Sequence, residues 1–201
     1  KSTLVKVLTG VYHKTNGQIN FDGKTIEPTT PLASQKMGIS TVYQEVNLCP
    51  NLSVAENLYI GREPLTKIGT VNRKEMNKRA ATLMKELDLD VDVTRNLEEY
   101  SLALQQMIAI ARAVDMDCKV LILDEPTRGI DVGAKYNIYC LVNKMVASGK
   151  SVIMISSEMP ELLGMCDRIY VMNEGKMLAE LDAKTATQES IMSYIIRSTV
   201  K

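Results

Sequence analysis

A short apolar run, Val-Leu-Ile-Leu at residues 120–123, ends in two adjacent carboxylates, Asp124 and Glu125, and then in Pro126. A run of this kind is typical of a strand buried on both faces, as in a parallel sheet. The carboxyl ends of such strands border the crevice where open α/β sheets bind ligands. In a nucleotide site Asp124 would hold Mg²⁺ through water, and Glu125 would polarise the water that attacks the γ-phosphate. The alternative is the polar end of a core strand that Pro126 terminates.

Strands and helices alternate after this run. The pattern predicts helices over 132–147 and 159–165, and strands over 151–156 and 168–172. Such alternation predicts a parallel sheet with right-handed βαβ connections. We expect the strand at 168–172 to belong to this sheet.

The upstream part of the chain divides into a mixed segment and a helical one. We expect a short helix that Gly10 terminates, a half-exposed strand over 17–23 and a strand over 38–44. From residue 53 to about 114 the spacing of apolar residues is helical, and Ser53 and Ser101 are predicted N-caps. The sequence therefore predicts a helical insertion before the strand that ends in Asp124.

Composition excludes some classes of partner. Twenty-four basic and twenty-four acidic residues balance, so no net field favours nucleic acid or an anionic membrane surface. The four cysteines are far apart and lack metal-ligand spacing, which suits a reducing compartment. No apolar run approaches the ~18 residues that a membrane span needs.

Three further segments carry polar groups at positions suited to phosphate chemistry. Lys1-Ser2-Thr3 precedes a helix, where a Lys ammonium can meet phosphate and a Ser hydroxyl can bind Mg²⁺. Gln44 follows a strand, so its amide can reach a metal or the attacking water. Ser101 opens a helix and can close on the γ-phosphate of a second protomer. Taken singly, such segments are more often a plain cap or a polar strand end than a phosphate contact.

The order of these segments resembles the nucleotide-binding subunit of ATP-binding-cassette (ABC) transporters, over essentially the whole chain. The resemblance implies an α/β P-loop NTPase core with an inserted helical subdomain. It implies ATP and Mg²⁺ as cofactors, with Glu125, Gln44 and Ser157 as the catalytic group and Ser157 at the switch-histidine position. ATP would contact the Walker A end, the signature loop and the D-loop, at Lys1, Ser2, Thr3, Ser101 and Asp131. Mg²⁺ would contact Ser2, Gln44 and Asp124.

Two segments resemble the sugar-importing branch in particular, of the ribose, xylose and galactose type and nearest to the galactofuranose type. They are Val42-Tyr43-Gln44-Glu45-Val46-Asn47-Leu48 and Asn57-Leu58-Tyr59-Ile60-Gly61-Arg62-Glu63. Proteins of this branch carry two cassettes in one chain. Residues up to Thr127 resemble the first cassette, whereas residues 128–135 and 156–161 resemble the second. Our hypothesis is a hybrid cassette, joined in frame at the segment 123–127 that both cassettes share.

Three departures from the family pattern stand out. The resemblance implies a glycine-rich loop and a strand before Lys1, which these residues do not include, so we expect an N-terminally truncated cassette. That strand is expected beside the strand at 120–123. The signature loop has Leu102 and Leu104 where the family has small or polar residues, and Ser157 replaces the switch histidine.

The resemblance implies one cassette, with core residues 1–52 and 119–201 and a helical subdomain at about 53–118. It implies ATP hydrolysis that powers carbohydrate import, at the cytoplasmic face of the inner membrane. The expected partners are transmembrane permease subunits, a second cassette and, indirectly, a periplasmic sugar-binding protein, but no nucleic acid. Two alternatives stay open: a non-catalytic fragment that only docks to the permease, and a soluble ABC ATPase.

Overall fold

Eight α-helices, one short 3₁₀-helix (Leu97–Glu99) and seven strands form in the part of the chain that the computed structural model describes, residues 1–44 and 47–199. The helices are α1 (Ser2–Leu8), α2 (Pro31–Lys36), α3 (Val54–Tyr59), α4 (Arg73–Glu86), α5 (Leu102–Asp115), α6 (Val132–Ala147), α7 (Met159–Met165) and α8 (Gln188–Thr199). The strands are β1 (Ile19–Phe21), β2 (Lys24–Ile26), β3 (Ile39–Val42), β4 (Val120–Asp124), β5 (Ser151–Ile155), β6 (Arg168–Asn173) and β7 (Lys176–Asp182). Glu45 and Val46, quoted above for the sugar branch, lie outside the described residues.

A three-stranded parallel sheet in the order β3-β4-β5 forms the centre of the fold. Leu121, Ile122 and Leu123 of β4 are at most 1% exposed, because β4 is hydrogen-bonded on both sides and covered on both faces. The apolar run therefore forms the buried parallel strand that its composition predicts. The expectation of a further strand beside β4 is wrong, since β3 and β5 already occupy both of its edges.

The strand β6 does not join this sheet, so its predicted place in the parallel sheet is wrong. It pairs antiparallel with β7 in a separate two-stranded sheet, and α8 packs on that hairpin. The connection is the pair Glu174-Gly175, with φ of 47° and 78°. Two consecutive left-handed residues make the tight turn that matches the twist of a hairpin, so the chain reverses beside β6 instead of crossing over.

A second apolar cluster lies among the helices α3, α4 and α5, apart from the sheet. Its fully buried members include Leu58 of α3, Ala80 of α4, and Ile108 and Ala111 of α5. The opposite face of α5, through Met107 among others, packs into the cluster that covers β4 and α6. Helix α5 therefore contributes to both clusters. None of the described helices is both long and apolar enough to cross a bilayer.

The predicted caps are present at the starts of α3 and α5. Ser53 forms a capping box, in which its hydroxyl accepts from the Glu56 amide and the Glu56 carboxylate accepts from the Ser53 amide. Ser101 accepts from the Leu104 amide. These side chains satisfy amides that the first helical turn leaves without a partner.

Replacing Ser53 by Ala should lower the free energy of unfolding by about 1 kcal/mol, because the amide of Glu56 loses its acceptor. Urea denaturation followed by circular dichroism measures the change. Thr82→Ala is the matched control, since that hydroxyl bonds back to Lys78 within α4 and caps nothing. Equal losses in the two variants would contradict a capping role for Ser53.

Candidate functional site

The turn after β4 places Glu125 in an unusual backbone conformation. Glu125 has φ of 51°, in the left-handed region that side chains other than glycine rarely adopt. Its amide still donates to the carbonyl of Ile155 at 2.8 Å, so the β4–β5 ladder continues one residue beyond Asp124. Backbone strain of this kind persists only where the surrounding contacts hold it.

Those contacts include a pair of hydrogen bonds from Ser157 in the loop between β5 and α7. The amide and the hydroxyl of Ser157 both donate to Glu125 Oε2, each at 3.0 Å. Lys1 Nζ lies 4.0 Å from Glu125 Oε1, and the Glu125 side chain is 13% exposed. Three segments far apart in sequence thus meet at one carboxylate.

Lys1 is attached to the same loop through the backbone of Ser156. Its Nζ donates to the carbonyl of Ser156 at 3.2 Å. Lys1 is also the residue that precedes α1, and Ser2 and Thr3 form the exposed first turn of that helix. The ammonium group and the two hydroxyls therefore lie at the same end of the sheet as Glu125.

Asp124, the last residue of β4, carries a carboxylate in a partly desolvated position. Burial raises the pKa of Asp124 above its ordinary value, the charge of Glu125 raises it further, and the charge of Lys1 opposes both. Two adjacent carboxylates with one nearby ammonium favour binding of an additional cation.

Gln44 lies two residues beyond β3, at the same edge of the sheet. Because β3 is parallel to β4, with Val42 opposite Leu123, the chain at Gln44 leaves the sheet where Asp124 and Glu125 do. Its side chain is exposed. The position suits an amide that contacts a ligand over the carboxyl ends of the strands.

Ser101 and Asp131 are not joined to this group within the described residues. Ser101 caps α5, and Asp131 caps α6 by accepting from the Ala134 amide at 3.0 Å. Leu102, next to Ser101, is 47% exposed. Both caps face solvent, so each is accessible to another molecule.

The donor set fits a magnesium nucleotide. Mg²⁺ in nucleotide sites is held by one or two protein oxygens together with phosphate oxygens and water. Asp124, the Ser2 hydroxyl and the Gln44 amide are hard oxygen donors at one end of the sheet, and Lys1 supplies a cation for phosphate. Among residues 1–44 and 47–199, no group of three or more His, Cys, Asp or Glu side chains is arranged to hold a metal ion.

Sequence reasoning missed a buried pair beside this site. Thr127 Oγ1 donates to Glu161 Oε1 at 2.8 Å, and the two residues are 1% and 5% exposed. Both residues belong to segments quoted above for the cassette resemblance, but nothing in their spacing indicates a contact across 34 positions. The contact needs the parallel pairing of β4 with β5, which brings the two following loops together.

Comparison with known proteins gives consistent matches. The model of the ABC transporter family matches residues 1–128. The chain is 45% identical over 178 residues to the galactofuranose transporter ATP-binding protein YtfR of Escherichia coli K12, covering 89% of this chain and 35% of that protein. It is 38% identical over 197 residues to a putative ribose/galactose/methyl galactoside import ATP-binding protein of Burkholderia cenocepacia, covering 98% of this chain and 38% of that protein.

A structural match agrees with these relatives. A solved structure of MJ1267, an ATP-binding cassette of an ABC transporter, superposes with a TM-score of 0.80 at 27% identity, covering all of this chain and 81% of that one. The chain spans little more than a third of the length of the curated relatives it matches.

Proposed function

The chain belongs to the ABC transporter family, and from this premise we propose that it binds and hydrolyses ATP to power carbohydrate import. The observation that supports hydrolysis best is the Glu125 carboxylate, which is fixed at the end of β4 by two hydrogen bonds from Ser157 and flanked by Lys1. The curated relatives at 45% and 38% identity are named as sugar transport or import proteins, which supports a sugar as the cargo.

The proposed roles follow from the chemistry of each side chain. Lys1 pairs with the β- and γ-phosphates, together with the exposed first turn of α1. Glu125 accepts a hydrogen bond from the attacking water and orients it, and the two Ser157 donors fix the rotamer of its carboxylate. Bound Mg²⁺ would supply positive charge that offsets the charge of the phosphates. Asp124, Ser2 and Gln44 are the side chains that would hold it.

Ser157 takes the position where the family has a switch histidine. Its hydroxyl donates to Glu125 Oε2 at 3.0 Å. We propose that Ser157 acts through Glu125 rather than on the nucleotide itself.

The proposed assembly contains two cassettes and a membrane permease. Ser101 and Asp131 cap helices at exposed ends, as is needed for residues that meet a nucleotide held by a second cassette. We propose a core of residues 1–52 and 119–201 and a helical subdomain at about 53–118, a division that the separate cluster of α3, α4 and α5 supports. The permease, with a periplasmic sugar-binding protein outside, would place the chain at the cytoplasmic face of the inner membrane.

Exposed Leu102 favours one alternative, a cassette that docks to the permease without catalysis. A bulky side chain at this position hinders close approach of the backbone to a phosphate. Titration of the full-length protein with Mg-ATP, followed by calorimetry and phosphate release, separates the two functions. Saturable binding with turnover supports the proposed function, and permease association without nucleotide binding at millimolar ATP supports the alternative. Sugar uptake by cells with and without the gene then tests the cargo.

A further inference from the structure

The buried hydrogen bond between Thr127 and Glu161 joins the same two loops that meet at Glu125. Thr127 follows Glu125 by two residues in the loop after β4, and Glu161 follows Ser157 by four residues at the start of α7. The two loops are therefore bridged twice. One bridge is exposed, from Ser157 to Glu125, and the other is buried, from Thr127 to Glu161.

The Glu161 carboxylate is buried and has few hydrogen-bond partners. Its second oxygen, Oε2, is buried and has no hydrogen-bond partner of ordinary geometry among the described residues, whereas Oε1 accepts from the Thr127 hydroxyl. A buried carboxylate costs free energy unless its oxygens are satisfied, so the carboxylate resists separation from the Thr127 hydroxyl.

Helix α6 also contacts the two bridged loops, through Tyr139 and Lys135. Burial raises the pKa of Tyr139, and the negative charge of Glu161 and a hydrogen bond with Glu161 raise it further, while a hydrogen bond with Thr127 and the charge of Lys135 oppose the shift. Lys135, one turn earlier on α6, pairs with Glu158 at 2.6 Å. These contacts join the loop after β4, the start of α7 and the first turns of α6.

We propose that Thr127 and Glu161 are positioning residues, which fix the separation of the two loops and so keep the Glu125 carboxylate oriented by Ser157. The proposal rests on the proposed function, since it assigns these residues to the hydrolysis step. Neither residue touches the nucleotide in this assignment.

The physical reason is the difference in exposure between the two bridges. Ser157 is exposed, so water competes for its hydrogen bonds to Glu125 and these bonds alone hold the loops weakly. Glu125 also has a strained left-handed backbone conformation. Its carbonyl accepts a hydrogen bond from the Arg128 amide, which closes a turn over residues 125–128. Thr127 lies inside this turn, so its anchored hydroxyl is well placed to keep the strained conformation.

Thr127→Val tests the proposal, because valine keeps the shape of threonine and removes only the hydroxyl. In the full-length protein we expect turnover to fall by about tenfold to a hundredfold, as for a small displacement of a reacting group, with the Kd for Mg-ATP within about twofold of the parent. Thr127→Ser restores the hydroxyl and should recover turnover to within about threefold of the parent. Glu161→Gln keeps an acceptor for Thr127 and should behave like Thr127→Ser.

A second readout does not depend on hydrolysis. Hydrogen–deuterium exchange at the Ser157 amide, measured without nucleotide, should be about tenfold faster in Thr127→Val and unchanged in Thr127→Ser. Ser34→Ala is the matched control, since it removes another buried hydroxyl, which donates to the carbonyls of Leu8 and Ile39. It should lower the melting temperature without faster exchange at Ser157 and without loss of turnover at a temperature where it is folded.

The outcomes separate this proposal from a purely structural role. Unchanged exchange at Ser157 in Thr127→Val, or equal losses of affinity and turnover, would overturn it. So would a loss of turnover in Ser34→Ala as large as that in Thr127→Val. If the parent protein binds ATP but hydrolyses none, the proposed hydrolysis fails, and the exchange experiment alone decides whether Thr127 holds Ser157 against Glu125.

Discussion

Replacing Glu125 by Gln should lower ATP hydrolysis by about 10³-fold and leave the Kd for Mg-ATP within about twofold of the parent. The amide has nearly the same shape as the carboxylate, and its oxygen can still accept from the amide and hydroxyl of Ser157. It cannot accept a proton or polarise water as a carboxylate does. Phosphate release and nucleotide binding on the full-length protein measure the two effects, and the variant should accumulate with ATP bound.

Glu27→Gln is the control for charge removal. Glu27 is an exposed glutamate whose ion-pair partner is Lys14, and its replacement should leave both binding and turnover unchanged. Parallel losses of binding and turnover in Glu125→Gln would instead assign Glu125 to the structure of the turn. Full turnover in that variant would remove it from the reaction.

Replacing Asp124 by Asn should weaken Mg-ATP binding by about a hundredfold, because a carboxylate that holds the metal through water is lost. The same change should raise the melting temperature at neutral pH. The folded-state pKa of Asp124 is raised, so its ionised form costs stability above the ordinary pKa of an aspartate, and a neutral amide avoids that cost.

Asp124→Asn should thus weaken binding and raise the melting temperature. A variant that simply damaged the fold would lower both. The gain in melting temperature should disappear as the pH falls below the ordinary aspartate pKa, where Asp124 is protonated in both states. Thermal melts across this pH range, with binding titrations in Mg²⁺ and in EDTA, test both parts. Weaker binding together with a lower melting temperature would contradict the assignment of Asp124 as a ligand.

Local signals in the sequence predict most of the elements but not all of their partners. The apolar run before Asp124 and the helical spacing over 132–147 correspond closely to β4 and α6. The expected place of β6 in the parallel sheet is wrong, because the alternation of strands and helices does not identify the neighbouring strand, and the turn at Glu174-Gly175 decides it.

For the candidate site, too, the sequence predicts the functional residues but not the contacts between them. The residue types indicate phosphate chemistry, since two carboxylates and an amide lie at or just after the ends of strands and a lysine precedes a helix. The hydrogen bonds of Ser157 to Glu125 and of Thr127 to Glu161 join residues 32 and 34 positions apart. Such contacts depend on the register of β4 against β5, which no local pattern contains.

Helix α5 connects the two apolar clusters, because opposite faces of the helix pack into each of them. Ala103, Met107 and Ile110 face the sheet side, while Ile108 and Ala111 face the helices α3 and α4. Close-packed faces resist sliding, so α5 cannot shift against α3 and α4 without also disturbing its packing over β4. The position of Ser101, which caps α5, is therefore determined by the packing of both apolar clusters together.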